Sequence, residues 1–436
     1  MSLDSVLASL RVPSDFNRYN DIPERDVIAR LDRWKEDALR TLKELQTRVV
    51  QERAELSLKQ QADIVSTTSV FDCDAVWVTP DSEGVAHDIL YTFSEPPLPL
   101  VVQILQYSLK PLFRSNPHPS INLETGRKLT RPAGGPMASQ DFYDSQTWKE
   151  SPGASNVLLW CVRNIPSTAY EDLWHLVIPP LMALLDDYEA RYKLIGVQVT
   201  SAMLERVPSA VLRRTGVDSL LMASLSRSLT QLQSPETPRL LPAAISTSLT
   251  LIQLMTSAGS VERFDQLCAL LGDGIIGSIW PYASDRLPAL LASIEALPPI
   301  IQFLGVGCAR YLKVLVAQLV HPLAPLEYEK TSVELQVSSL RALSAVINAC
   351  PERIPHWKGT ILNGVARCWV SVVDPPKAPD AREPSADGNL SPETIKQELR
   401  NVCSVLMNAC PSVLQEEYPR FMAADATMFD DLLRNK

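Results

Sequence analysis

The segment of this chain with the spacing of a nucleotide-binding loop is Gly272 to Gly277, which reads GDGIIG. A G-x-G-x-x-G loop can hold a pyrophosphate on backbone N–H groups, but only when a strand precedes it and a helix follows it. Here VERFDQLCAL, just upstream, has helical periodicity, and Pro281 interrupts any helix that would follow. The segment is therefore predicted to be a helix C-cap and turn, with no bound nucleotide.

Two adjacent carboxyl groups, Asp186 and Asp187, are of the residue type that acid–base catalysis uses. Neighbouring side chains at the start of a helix point in different directions, so they are poorly placed to act on one substrate. The preferred interpretation is capping, in which a carboxylate accepts from the free backbone N–H groups of the helix that follows.

Metal and cofactor sites have no support in the sequence. The 5 histidines are dispersed without HxxxH or HxH spacing, and the 8 cysteines never occur as CxxC. A GxSxG elbow, a Walker A loop and the kinase signature set do not occur either. We therefore predict no catalytic residue, no metal and no cofactor, and we expect reduced cysteine thiols in the core.

A local basic cluster lies in Ile121 to Pro132, INLETGRKLTRP, on a chain whose net charge is −9. One interpretation is a solvated run of loop charges. The other is a contact for an acidic segment of a partner, because arginine and aromatic side chains are common interface anchors. The candidate partner-binding residues are Arg127, Lys128, Arg131, Phe142, Trp148 and Lys149.

The elements that must position these residues are pairs of amphipathic helices. The clearest pair is Leu176 to Pro208, in which apolar residues at helical spacing form one stripe before the two aspartates and another after them. Prolines near the start of the first helix, aspartates in the turn and an arginine early in the second helix resemble the HEAT-repeat pattern. The signature residues are Pro179, Pro180, Asp186, Asp187 and Arg191.

A second repeat signal is the sequence NACP, which begins at Asn348 and again at Asn408, each time after an apolar helical pattern; the offset is 408 − 348 = 60 residues. The insert Asp374 to Pro392 is rich in Pro, Asp and Ala, which predicts flexibility, and its Ser391 could accept phosphate from a proline-directed kinase. Without the insert the spacing is about 40, close to the HEAT period. The further predicted helix pairs are Val217 to Gln233 with Pro242 to Ser257, Val261 to Leu271 with Leu287 to Leu297, and Ile300 to Val320 with Thr331 to Asn348.

The N-terminal third is less regular. We predict a charged helix from Pro23 to Thr67 and another from Pro99 to Phe113, while residues 71–99 fit a short strand or a loop equally well. The expected fold is an all-α, HEAT-like α-solenoid. Its predicted parts are an N-terminal helical region (1–113), a long loop (114–155), HEAT-like repeats (156–373), the insert (374–392) and C-terminal repeat helices (393–436) that continue the same solenoid.

Composition limits the classes of partner. Hydrophobic residues at 46% and charged residues at 21% are ordinary for a folded protein, and the negative net charge argues against a general nucleic-acid or anionic-membrane surface. The N-terminus has no signal or transit pattern, and polar residues interrupt the apolar stretch Pro298 to Val320, so no membrane span is predicted. We expect a cytoplasmic and nuclear location.

The ordered combination of NLETGRKL, DSQTWKE, NVLLWCV, LVIPPLMALLDDYEARYKLIGVQV and LRRTG resembles the Tel-two-interacting protein two family, the second Tti subunit of the TTT cochaperone complex. The resemblance is best from about Asn116 to Gly216. It implies a HEAT-like subunit that joins the Tel-two protein and the first Tti protein. It also implies work with the ninety-kilodalton heat-shock chaperone to mature and stabilise phosphatidylinositol-3-kinase-related kinases, and so a role in TOR signalling and the DNA-damage response.

Two other classes of function stay open. A HEAT-repeat adaptor for nuclear transport or for a phosphatase or kinase assembly would use the same helices, although transport receptors need many more repeats than the roughly seven that fit here. An enzyme would need a convergent cluster of titratable groups with shifted pKa values in a pocket, and the sequence supplies no candidate set.

Overall fold

The computed structural model describes residues 2–18, 25–115, 117–135, 142–143, 146–323, 332–374 and 391–433. Within these ranges the chain is helical and has no strand, and Ile121 and Lys128 form an isolated antiparallel bridge. The predicted all-α fold class is therefore confirmed. The chain divides into two compact units, Met1–Ser228 and Leu229–Lys436, so the division falls inside the region predicted as continuous repeats.

The first unit consists of short and medium helices, two of which are linked through a π-helical turn at Ile104–Leu109. Its α-helices are α1 (Leu3–Ser9), α2 (Arg25–Glu52), α3 (Leu58–Thr68), α4 (Pro80–Tyr91), α5 (Leu98–Gln103), α6 (Lys110–Arg114), α7 (Ala154–Asn164), α8 (Tyr170–Leu185), α9 (Ala190–Leu204), α10 (Ser209–Thr215) and α11 (Val217–Ser228).

The predicted helix pair of residues 176–208 is present as α8 and α9, which pack against each other and against α7. Both predicted apolar stripes are buried, because each faces the neighbouring helices. The approach is close at Gly196 of α9, where a Cβ atom would lie 2.6 Å from the backbone N and Cα of Leu185. Pro179 and Pro180 lie in the interior of α8 rather than near its start.

The single charged helix predicted for residues 23–67 is wrong, because the structure breaks it between α2 and α3. Ser57 begins α3 with a capping box: its Oγ accepts from the backbone N–H of Gln60, and its own N–H donates to Gln60 Oε1 at 2.9 Å. Farther along, the region that fitted a strand or a loop contains α4, which Thr79 caps in the same way.

The second unit is also a stack of paired helices. Its α-helices are α12 (Thr237–Met255), α13 (Val261–Ala269), α14 (Leu287–Glu295), α15 (Leu297–Leu304), α16 (Leu312–Val320), α17 (Val333–Ala349), α18 (Lys358–Val373), α19 (Pro392–Ala409), α20 (Val413–Glu416), α21 (Tyr418–Ala424) and α22 (Ala426–Leu433). Helix α12 packs on α14, and α17 packs on both α15 and α19.

The two NACP copies occupy equivalent places. Helices α17 and α19 end at the alanine of the motif, and the following cysteine, Cys350 or Cys410, donates its N–H to the carbonyl four residues earlier. The two helices pack against each other, as consecutive repeats should. Most of the predicted flexible insert lies outside the described residues.

The predicted turn at GDGIIG is wrong, because residues Leu270–Ile279 continue α13 as a π-helix. A Cβ atom on Gly272 would lie 2.7 Å from the hydroxyl of Tyr311, so this glycine serves close packing. A nucleotide loop would need a strand before it, and the described residues contain none.

The run Leu287–Leu323 is long and apolar enough to cross a membrane by length and composition. In the structure it comprises α14, α15, a 3₁₀ segment at Gly305–Tyr311 and α16. Its buried side chains, including Ile294 and Ile300, belong to helices that pack on α12, α13 and α17. The absence of a membrane span stays a prediction.

Candidate partner-binding surface

The first unit holds a buried ionic network around Asp186, which directly follows α8. The Asp186 carboxylate accepts from His118 Nε2 at 2.9 Å and from Arg227 Nη2 at 3.0 Å, and its backbone carbonyl accepts from the hydroxyl of Tyr143 at 3.1 Å. His118 Nδ1 accepts from the backbone N–H of Ser120 at 3.2 Å, so Nε2 carries the proton. Because both ring nitrogens are engaged, this His–Asp pair has no free base to offer a substrate.

A second network surrounds Lys149, in the 3₁₀ helix Thr147–Glu150. Its Nζ lies 3.0 Å from Asp187 Oδ1 and 2.6 Å from Glu189 Oε1, and 4.3 Å from the ring centroid of Tyr188. Asn17 donates to the carbonyl of Lys149 at 2.7 Å, and Arg191 donates to the carbonyl of Asn17, also at 2.7 Å. The α8–α9 turn and the start of α9 therefore bind two segments that are distant in the sequence, the 3₁₀ helix Thr147–Glu150 and the segment that contains Asn17.

Burial and pairing with cations shift the pKa values of these carboxyl groups in opposite directions. Burial works to raise the pKa of Asp186, but hydrogen bonds from His118 and Ser224 and the charge of Arg227 bring that pKa below its ordinary value. Burial raises the pKa of Asp187 despite the nearby lysine charge. Burial also lowers the pKa of Lys193, whose Nζ donates to the carbonyl of Leu185 at the end of α8.

The predicted capping role of the two aspartates is wrong. Helix α9 begins at Ala190, and its N-cap residue Glu189 makes no side-chain cap bond. Asp187 Oδ1 accepts from the N–H of Glu189 at 2.8 Å, which closes the turn before the helix, and Asp186 faces His118 and Arg227. The turn between α8 and α9 is long enough for both carboxylates to reach basic side chains. A sequence pattern does not reveal which basic side chains those are.

The basic loop is ordered by contacts with the helices beneath it. Gly126 has φ +64°, and a Cβ atom there would lie 2.8 Å from the carbonyl oxygen of Trp174, so only glycine fits. Asn122 Oδ1 accepts from the N–H groups of Glu124 and Thr125, and the backbone N–H of Lys128 donates to the carbonyl of Thr215 at 3.0 Å. These contacts explain much of the motif NLETGRKL, because its residues form a turn that packs on helices α8 and α10.

The six candidate partner-binding residues separate into three groups. Arg127, Lys128 and Arg131 are exposed, although Lys128 Nζ donates to Ser219 Oγ at 2.8 Å. Phe142 and Trp148 are buried, at 4% and 2% exposure, which removes them from the free surface. Lys149 is held in the network described above. The structure thus leaves the arginines available to a partner.

Arg127 lines a groove of about 420 Å³ between the basic loop and helices α8 and α10. Sequence reasoning did not single out Trp174, His175 or Arg214, which also line it, although the last belongs to the motif LRRTG. The full lining is Glu124, Thr125, Arg127, Glu171, Trp174, His175, Val211, Arg214 and Thr215. An adjoining cavity shares Glu124 and His175 and extends toward Lys110 and Arg114.

In the part of the chain that the structure describes, no group of three His, Cys, Asp or Glu residues could hold a metal ion. All 8 cysteines are free, and burial raises the pKa of Cys73, Cys368 and Cys403 to about 12, so these thiols stay protonated.

Comparison with known sequences points to one family. Residues 64–325 match the profile of the Tti2 family. TELO2-interacting protein 2 of Mus musculus is 22% identical over 271 residues, which cover 61% of this chain and 50% of that protein. The same-named protein of Homo sapiens is 23% identical over 343 residues, which cover 77% and 60%. The chain therefore spans about half the length of the curated relatives it matches.

Comparison with solved structures shows the fold. Kap95p, in a structure with RanGDP, superposes with a TM-score of 0.54 at 13% identity, over 99% of this chain and 46% of that one. Kap121p bound to Nup53p gives 0.48 at 13% identity, over 97% and 42%. Such low identity carries no functional argument, but the first likeness agrees with a HEAT-like helical solenoid.

Proposed function

The chain belongs to the Tti2 family, and on that premise we propose that it is a non-enzymatic scaffold subunit of a TTT-like cochaperone complex. The observation that carries the proposal is the family match over residues 64–325. In this complex the chain binds the Tel-two protein and the first Tti protein. Through them it supports the maturation and stability of phosphatidylinositol-3-kinase-related kinases, together with the heat-shock protein ninety machinery, in the cytoplasm and the nucleus.

The mechanism we propose is positional. Each repeat of a helical solenoid contacts its neighbours and presents side chains along an extended surface, so partners can be held at a set spacing without any bond being made or broken. The α8–α9 turn and its ionic network support this role by fixing the 3₁₀ segment Thr147–Glu150 and the loop around His118 to the helices.

Two features support a binding role over catalysis. Three buried charged side chains of the first unit, Asp186, Asp187 and Lys193, bond to His118, Lys149 and the Leu185 carbonyl, and they line none of the grooves described above. The GDGIIG segment is part of a π-helix, which has no free N–H cradle for phosphate. The Kap95p likeness is one of fold and does not favour a transport function.

Depletion of the chain in its own cells tests this function. We expect the protein levels of the phosphatidylinositol-3-kinase-related kinases to fall while their messenger levels stay constant, because unassembled kinase is degraded. Expression of the wild-type chain should restore the kinases, and an unrelated large kinase serves as the control. Kinase levels and half-lives that do not respond to complete depletion would contradict the proposal.

A further inference from the structure

The groove between the basic loop and helices α8 and α10 has balanced charges of its own, but together with the cavity that adjoins it the region is locally positive on an acidic chain. Four cationic side chains, Lys110, Arg114, Arg127 and Arg214, line this groove and the adjoining cavity, against two carboxylates, Glu124 and Glu171. Two of the cations have internal partners: Arg214 lies 2.6 Å from Glu171, and Arg114 lies 4.0 Å from Glu124.

Arg127 differs from these paired arginines. Its side chain is exposed, and it forms no ion pair with any carboxylate among the described residues. Its backbone is nevertheless fixed, because the Arg127 carbonyl accepts from Asn122 N–H at 2.9 Å and its neighbour Gly126 sits against Trp174. A guanidinium on a fixed backbone loses less conformational entropy on binding than one on a mobile loop.

Trp174 supplies an independent sign of a missing partner. It lines the groove and is 3% exposed, yet its indole Nε1 is buried without an acceptor among the residues that the structure describes. A buried donor without an acceptor costs roughly 1–3 kcal/mol. An oxygen atom of a bound molecule would remove this cost if a small rotation of the indole brought Nε1 to the groove.

We propose that this groove, lined by Arg127, Trp174 and Arg214, binds an acidic segment of a partner protein. Carboxylates of the segment pair with the guanidinium of Arg127, and one of its oxygen atoms accepts from Trp174 Nε1 after a small rotation of the indole. This inference rests on the proposed scaffold function for the conclusion that the partner is a protein. It adds the chemistry of one contact with that partner.

The alternation of charge favours a peptide over a nucleic acid. A peptide can place its carboxylates beside the arginines and its backbone N–H groups beside Glu124 and Glu171, whereas a continuous phosphate backbone has no donor to place there. A groove of about 420 Å³ also accommodates a few side chains rather than a strand with its bases. The net charge of −9 opposes binding of a polyanion elsewhere on the chain.

Binding of a short fluorescein-labelled glutamate-rich peptide to the full chain, followed by fluorescence anisotropy, tests the contact. We expect saturable binding that added salt weakens, and no binding of the matched lysine-rich or serine-rich peptides. A chain that binds none of the three, or that binds a single-stranded oligonucleotide more tightly than the glutamate-rich peptide, would overturn the proposal.

Two substitutions locate the contact. Arg127→Glu should weaken peptide binding about tenfold or more, whereas Lys313→Glu, the same change of charge at an exposed lysine of α16, should leave it unchanged. Trp174→Phe removes the N–H and keeps the ring, so it should weaken binding about fivefold without lowering the melting temperature. Equal affinities of wild type and both groove variants would place the peptide elsewhere.

Failure of this inference can be told apart from failure of the scaffold function. The wild-type chain and the Arg127→Glu and Lys313→Glu variants are each co-expressed with the Tel-two protein and the first Tti protein. Loss of co-purification with Arg127→Glu alone supports the groove. Equal recovery of both variants rejects the groove and leaves the scaffold function standing, whereas no recovery of the wild type rejects the scaffold function.

Discussion

Asp186 joins three segments that the sequence keeps apart: it contacts His118, 68 positions away, and Arg227, 41 positions away, and its carbonyl accepts from Tyr143. Sequence periodicity correctly placed Asp186 at the turn of a helix pair. It could not show these partners, because they come from a loop and from a later helix without any regular spacing. The same limit explains why Phe142 and Trp148 were predicted as partner-binding residues although the fold buries them.

Asp186→Asn tests the network at the residue scale. Asparagine keeps the shape but loses the charge that faces Arg227 and one of the two acceptor oxygens that serve His118 and Arg227, so the free energy of unfolding should fall by about 1–3 kcal/mol. Asp32→Asn on the exposed face of α2 is the matched control and should change it by less than about 0.5 kcal/mol. Urea denaturation followed by tryptophan fluorescence measures both.

The pH dependence of that difference has a defined sign. The folded pKa of Asp186 is lowered, so its contribution to stability is present above the unfolded value of about 3.9 and is lost as the pH falls through the folded value. The stability gap between wild type and Asp186→Asn should therefore shrink below about pH 4. Asp187 acts in the opposite direction, since its pKa is raised, but it is common to both proteins. If the stability difference between wild type and Asp186→Asn stays constant as the pH falls below about 4, the carboxylate charge is not the source of that difference.

At the element scale, apolar periodicity predicted most helices, and helix ends were where it failed. The break between α2 and α3 depends on the short capping box at Ser57 and Gln60, inside an otherwise helical charge pattern. The glycines of GDGIIG were expected to end a helix, yet the segment continues as a π-helix that allows the close approach of Tyr311. Close packing of this kind depends on a residue about forty positions away and leaves no local signal.

Gly196→Ala tests the close packing of α8 and α9. The added Cβ would meet the Leu185 backbone at 2.6 Å, so the helices must move apart, and we expect a loss of about 1–3 kcal/mol in the free energy of unfolding. Gly359→Ala in α18 is the control, because nothing lies within 4 Å of its Cβ position. There alanine should stabilise by about 0.5–1 kcal/mol through its helix propensity. Two substitutions with the same effect would show that α8 and α9 are not in such close contact.

At the scale of the whole molecule, the sequence predicted an all-α, HEAT-like solenoid and the Tti2 family, and both are supported by the structure and the relatives. The family motifs could be recognised because they fall in helices α7 to α10 and in the segments packed on them, where burial and backbone geometry restrict the residue types. The groove could not be predicted, since its walls come from the loop, α8 and α10. The division of the chain after Ser228 likewise has no linker composition to mark it.

The most direct test of the scaffold function is native mass spectrometry of the untagged chain co-expressed with the Tel-two protein and the first Tti protein. We predict one dominant species that contains all three chains in a fixed ratio and persists on dilution, without added nucleotide. A spectrum in which this chain appears only at its own mass, while the other two associate without it, would contradict the proposal that it is a subunit of such a complex.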